Sequence, residues 1–135
     1  MNLVEKLMTV DKGEFSKIAT KQISSKQLSK LVGENAKVTI QAVDGDLFGA
    51  LSASGLDEEG DVDYGRAFST NAKIAAAGIV DPDLKSDVLL KHLGVASPAD
   101  AAKMIFKGEI NKISSEIAKL SGFENEEKTE KEVKN

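Results

Sequence analysis

The sequence predicts a mainly helical α+β fold, with about six short helices around an aliphatic core, one small antiparallel β pair and a disordered C-terminal tail. Three observations carry this reading. Between Val80 and Phe123 three short helices follow one another with their start and stop signals in the chain. Upstream, only Lys37–Val43 has the alternation and β-branched content of a strand. After Phe123 the composition turns abruptly to charge, with Val133 as the one apolar residue of the last twelve.

Taken in order, Asn2 is a plausible cap for a short amphipathic helix carrying Leu3, Val4, Leu7 and Met8. Asp11-Lys12-Gly13 breaks it, and Phe15, Ile18 and Ala19 follow without a clear period. Thr20 to Ile23 reads as extended. Ser24-Ser25 caps a helix through Leu28, Leu31 and Val32, which Gly33 closes. In the strand that follows, Val38, Ile40 and Ala42 share one face; the stretch near Ile23 or another copy of the chain must pair with it, because a single strand is not stable alone. Asp44-Gly45-Asp46 turns the chain into a helix bearing Leu47, Phe48, Ala50 and Leu51, which ends at Gly55. Residues 57 to 63 form an acidic loop, and a helix runs from Tyr64 to Ala77, where alanines at 72, 75, 76 and 77 let a neighbouring helix approach closely.

In the last third, Asp81-Pro82 is expected to open a helix carrying Leu84, Val88 and Leu89 until Gly94. Ser97-Pro98 repeats the device, with Asp100 in the first turn, for a helix that carries Met104, Ile105 and Phe106 to Gly108. In the final helix Ile110, Ile113, Ile117 and Leu120 fall on one seam, which Ser121-Gly122-Phe123 terminates. The expected core is Leu28, Leu31, Ile40, Leu47, Leu51, Leu84, Leu89, Leu93, Ile105, Ile110, Ile113, Ile117 and Leu120. The chain divides into one domain over residues 1–123 and a charged flexible tail over 124–135, too poor in apolar surface to offset its ordering entropy.

Composition narrows the function classes. With 18 basic and 22 acidic side chains the net charge is −4, and no basic block offers a phosphate-binding face, so nucleic acid is not an expected partner. The absence of cysteine removes disulfide and thiolate-metal chemistry and fits a reducing cytoplasm. No run approaches the roughly 18 apolar residues that a membrane span needs, so no membrane association is expected.

Catalysis finds no positive signal. The acidic loop suggests calcium, but with Gly60 as the turn glycine the first and last ligand positions fall on Gly55 and Arg66, which leaves a solvated loop as the reading. His92 has no second histidine to pair with and suits a helix C-terminus beside Lys91. Ser114, Ser115 and Ser121 have no histidine in context for a triad, and no phosphate-binding glycine pattern occurs. The reading is of a protein that is not an enzyme, with no catalytic, metal or cofactor residues. Its work is by contact, and the candidate partner-binding residues are Leu7 and Met8 on the first helix and Ile110, Ile113, Ile117 and Leu120 on the last. The same seam is also what a core-facing helix would show.

A set of short motifs resembles one family. Val80-Asp81-Pro82-Asp83-Leu84-Lys85, Leu93-Gly94-Val95 before Ser97-Pro98, Lys107-Gly108-Glu109-Ile110 and Leu120-Ser121-Gly122-Phe123 stand in the order and spacing of the XkdN-like phage tail assembly chaperones of PBSX-type prophages. Leu28, Ser29, Leu31 and Gly33 before Val38-Thr39-Ile40-Gln41-Ala42 extend the similarity over most of residues 20 to 123. Ala96, Ala99 and Ala101 depart from the larger or more polar residues expected there.

The resemblance implies a stoichiometric chaperone that binds the phage tape measure protein and keeps it soluble until tail tube subunits polymerise. It implies residence in the host bacterial cytoplasm and absence from the mature virion. Tail tube protein is a further candidate partner, and homo-oligomerisation is left open. The competing class is a small helical adaptor or helix-turn-helix-like regulator, which would need a basic recognition helix. The candidate, Pro98–Lys107, offers only Lys103 and Lys107, and Arg66 is the chain's single arginine.

Overall fold

The computed structural model describes residues 2–123 and has the expected α+β, mainly helical architecture. The expected tail, residues 124–135, lies outside the described residues. The elements are α1 (Leu3–Met8), α2 (Lys12–Phe15), β1 (Thr20–Ser24), α3 (Lys26–Val32), β2 (Lys37–Gln41), α4 (Gly45–Ala53), α5 (Tyr64–Gly78) and β3 (Ile79–Asp81). They continue with α6 (Asp87–Leu93), α7 (Pro98–Phe106), a 3₁₀ turn (Lys107–Glu109) and α8 (Ile110–Leu120).

The strand at residue 37 does pair with the stretch near Ile23. β1 and β2 are antiparallel, with Ile23 opposite Val38 and Lys21 opposite Ile40. A third strand joins on the far side: β3 pairs antiparallel with β2, giving the order β1-β2-β3. This third strand overturns one expected helix start. Residues 79–81 are used in the sheet, so Asp81-Pro82 ends a strand instead of opening a helix, and Leu84 is a buried loop residue. The helix begins five residues beyond Pro82, where the Ser86 side chain accepts from the Leu89 N–H, and Val88 points to solvent.

Other ends follow the sequence. Asn2 and Glu5 form a reciprocal capping box on α1, Ser25 caps α3, and Ser97 caps α7 with Pro98 in its first turn. Gly33, Gly94 and Gly122 take the left-handed conformation at the ends of α3, α6 and α8. After Gly122, Phe123 N–H reaches back to Ala118 O at 2.9 Å, and its ring stacks on Phe48 at a centroid distance of 4.3 Å. One terminator differs: α7 stops at Phe106, and the positive φ falls on Lys107, one residue before the expected Gly108.

The core lies between the inner face of the sheet, Val38 and Ile40, and the helices α5, α7 and α8. Phe106, Ile110, Ile113 and Ile117 fill its centre, with Ala72, Ala75, Ala101 and Ala102 as the small surfaces that allow close approach. At Gly78 the approach leaves no room for a side chain, since a Cβ there would meet Ile117 at 2.5 Å. Ile40, Leu84, Ile105, Ile110, Ile113 and Ile117 are buried as expected, and Leu28, Leu51, Leu89, Leu93 and Leu120 are half-buried against the core. Leu31 and Leu47 are corrections, at 61% and 42% exposed. Each sits on a short helix that packs through another side chain, Leu28 on α3, and Phe48 and Leu51 on α4.

Candidate functional site

Two exposed surfaces stand apart from the core. The first is the N-terminal segment. Residues 2–19 are exposed throughout, and neither α1 nor α2 has a buried residue. Apolar side chains nevertheless recur along it: Leu3, Val4, Leu7, Met8, Phe15 and Ile18, with Leu7 at 54% and Met8 at 80% exposure. The capping box and the Thr9 hydroxyl, which donates to Lys6 O, support α1 locally, where no residue of the helix is buried.

The last helix behaves differently from the first. Ile110, Ile113 and Ile117 are at most 2% exposed and Leu120 is half-buried, so this seam is the domain's own core and not a free docking face. Of the six partner-binding candidates, Leu7 and Met8 are on the surface and the α8 residues are not. An apolar stripe on a helix looks the same in sequence whether its own domain or a partner covers it.

The second surface is a groove of about 350 Å³ bounded by α4, α5, α8 and the acidic loop. Phe48, Leu56, Val62, Ile74 and Ala118 give it apolar walls. A polar strip crosses it, in which the Asn71 amide donates to Asn111 Oδ1 at 2.8 Å and the Ser114 hydroxyl donates to Asn71 Oδ1 at 3.2 Å. Leu56 and Val62 pair as an isolated antiparallel bridge, so residues 57–61 form a tight loop standing on the groove wall. Asp57 Oδ1 accepts from the N–H groups of Glu59 and Asp61, both at 2.9 Å, and this holds the loop together. The loop is legible in the sequence and the groove is not: Asn111 and Ser115 share a face of α8, and only tertiary packing brings them to Asn71 on α5.

Several other polar groups tie elements of the fold together. Glu109 reaches across to the start of α3: it accepts from Ser25 Oγ at 2.8 Å, Gln27 N–H at 3.0 Å and Lys26 N–H at 3.1 Å. Partial burial pushes its carboxyl up, but these three hydrogen bonds and the Lys112 charge outweigh that and hold it below the ordinary glutamate range. Glu116 is likewise held low, first by the hydrogen bond from Lys21 Nζ at 2.9 Å, against the opposing effect of burial. Ser121 Oγ accepts from Val43 N–H and donates to Ile117 O. His92 is exposed in the last turn of α6. Lys103 donates to Ser69 Oγ, and Arg66 donates to Leu56 O.

Among the described residues no group of three or more His, Asp or Glu side chains is placed to hold a metal, and no helix is long and apolar enough to cross a membrane. The arrangement defines a small α+β protein whose distinctive surfaces are apolar and suited to contact. The chain belongs to the phage XkdN-like tail assembly chaperone family, whose model matches residues 4–134. The role of that family is assembly chaperoning, which is not an enzymatic one. The crystal structure of the protein YqbN is similar in fold, with a TM-score of 0.55 and 21% identity over 86% of this chain and 99% of that one. No curated protein matches the chain.

Proposed function

We propose that this tail assembly chaperone binds the phage tape measure protein and keeps it soluble until the tail tube polymerises around it. The observation that supports the reading most directly is the N-terminal segment, a set of large apolar side chains on residues 2–19 that the domain itself does not cover. Leu3, Val4, Leu7 and Met8 are neighbours on α1 by their i, i+3 and i+4 spacing and all are exposed, and an apolar patch of this kind is uncommon on a protein that works alone. A long helical protein awaiting its tube presents the complementary problem, apolar helical faces that aggregate unless shielded. Leu7 and Met8, with Leu3, Phe15 and Ile18, are the contact residues of this reading. Binding is stoichiometric and reversible, in the host cytoplasm, and the chaperone leaves before the virion is complete. Tail tube protein is the second partner to test.

The regulator alternative draws little support from the two lysines of its candidate helix, since Lys103 donates to Ser69 Oγ and leaves Lys107 as the single exposed cation there.

Co-expression with the tape-measure-like protein encoded beside this chain tests the proposal. The long protein should be soluble and co-purify with the chaperone, and precipitate when the chaperone is omitted or carries Leu7→Ser with Met8→Ser. Equal solubility with and without the chaperone, and no complex, would remove the holding role.

A further inference from the structure

The groove between α4, α5 and α8 is not part of the N-terminal surface, and its charge is unusual for this chain. Residues 57–66 carry Asp57, Glu58, Glu59, Asp61 and Asp63 against Arg66 alone. That leaves 17 acidic and 17 basic side chains elsewhere, so the whole net charge of −4 is carried by ten residues, of which Val62 lines the groove while Asp57, Glu58 and Glu59 gather with Arg66 around a depression of their own, next in the chain to Leu56 of the groove wall. Asp63 is used by α5, where it caps the helix and lies 3.7 Å from Arg66. Glu58, Glu59 and Asp61 form no salt bridge among the described residues.

We infer that the groove walled by Phe48, Leu56, Val62, Ile74 and Ala118 is a second docking site, and that its occupant is an amphipathic helical segment of a partner with two apolar anchors and lysine or arginine at one end. A volume of about 350 Å³ is room for about two large apolar side chains, as a helix presents at positions i and i+4. The Asn71–Asn111–Ser114 strip can take the polar edge of such a helix, and the acidic loop that rises from Leu56 and Val62 favours the direction that brings the basic end towards it. The wall is itself apolar and partly open to solvent, with Val62 at 59% exposure.

Charge argues against two other occupants. Residues 124–135 carry five glutamates against three lysines and would be repelled by the acidic loop beside the groove. The apolar α1 of a second copy has one glutamate and one lysine and gains nothing from it. The inference adds to the holding role a site and a partner chemistry, and so rests on that reading for its biological occupant, though not for its test.

The test is fluorescence anisotropy of the intact chain with a labelled helical peptide of about 16 residues, bearing two leucines at i and i+4 and a C-terminal lysine cluster. Two control peptides replace the lysines by glutamate or the leucines by serine. Saturable binding of the first peptide is expected, weakened at least about tenfold by either control and several-fold between about 50 and 300 mM salt. Ser115→Trp, which fills the groove from an exposed position, and the surface pair Glu58→Lys with Glu59→Lys should each weaken it about tenfold with unchanged thermal unfolding.

Absence of binding overturns the inference, as does binding that Ser115→Trp leaves unchanged. Equal affinity for the serine control overturns it too, since attraction to the loop alone then suffices. If the groove variants lose peptide binding yet still solubilise the tape measure protein as well as the parent chain does, the tape measure protein is excluded as the occupant of the groove while the holding role stands. Peptide binding without tape measure rescue gives the opposite result.

Discussion

The Ser25 hydroxyl donates to Glu109 Oε1 at 2.8 Å, across 84 residues of sequence, while the same oxygen accepts from Leu28 N–H at 3.0 Å. One side chain thus caps α3 locally and ties it to the turn before α8. Because Ser25 is buried and Glu109 also takes the Lys26 and Gln27 N–H groups, loss of the carboxylate leaves several donors without an acceptor. Glu109→Ala should cost about 2 kcal/mol of stability and Glu109→Gln about 1, measured by urea unfolding.

Acid should weaken the fold through the same group. Glu109 and Glu116 both titrate lower in the folded chain than the ordinary glutamate value. A depressed carboxyl contributes stability that is fully present above its unfolded pKa and is lost as pH falls through the folded one. Unfolding free energy should therefore be level near neutrality and decline below about pH 4.5, and the double variant Glu109→Gln with Glu116→Gln should show a shallower decline. An equal slope in parent and variant would refute this.

Gly78 packs directly against the Ile117 side chain. A Cβ at position 78 would lie 2.5 to 2.9 Å from three carbons of the Ile117 side chain, which is itself fully buried and has no room to retreat. Gly78→Ala should destabilise by about 1–3 kcal/mol, although alanine is the better helix former. Combined with Ile117→Ala, which alone should cost about 2–5 kcal/mol, the penalty should be clearly less than additive.

Lys107 holds φ at 50° and ψ at −125°, a conformation in which a Cβ is strained. Its side chain is exposed, so little is lost with it. Lys107→Gly should raise stability by up to about 1 kcal/mol, read as a higher unfolding midpoint, whereas Lys107→Ala should not.

The N-terminal segment offers the opposite separation of effects. Since α1 and α2 bury nothing, Leu7→Ser with Met8→Ser should change unfolding free energy by less than about 0.5 kcal/mol while removing tape measure rescue. Loss of rescue accompanied by unfolding would instead make these residues structural.

The sequence by itself determined most element ends, because caps and terminators are local chemistry: Asn2 with Glu5, Ser25, Ser97-Pro98, and the glycines at 33, 94 and 122 act within a turn of where they stand. The order of those signals also carried the family, which the match over residues 4–134 shows. Pairing and coverage were decided only in three dimensions. Ile79–Asp81 became a strand because β2 had a free edge to offer, and that displaced the helix expected at Asp81-Pro82. The α8 stripe and the α1 stripe both have helical spacing, yet the alanine surface of α5 and the sheet lie against one, while among the described residues none buries the other. The groove is assembled from residues as far apart as Phe48 and Ala118, so no stretch of sequence could announce it. Local preference acts through neighbours in the chain, whereas burial depends on which distant surfaces meet.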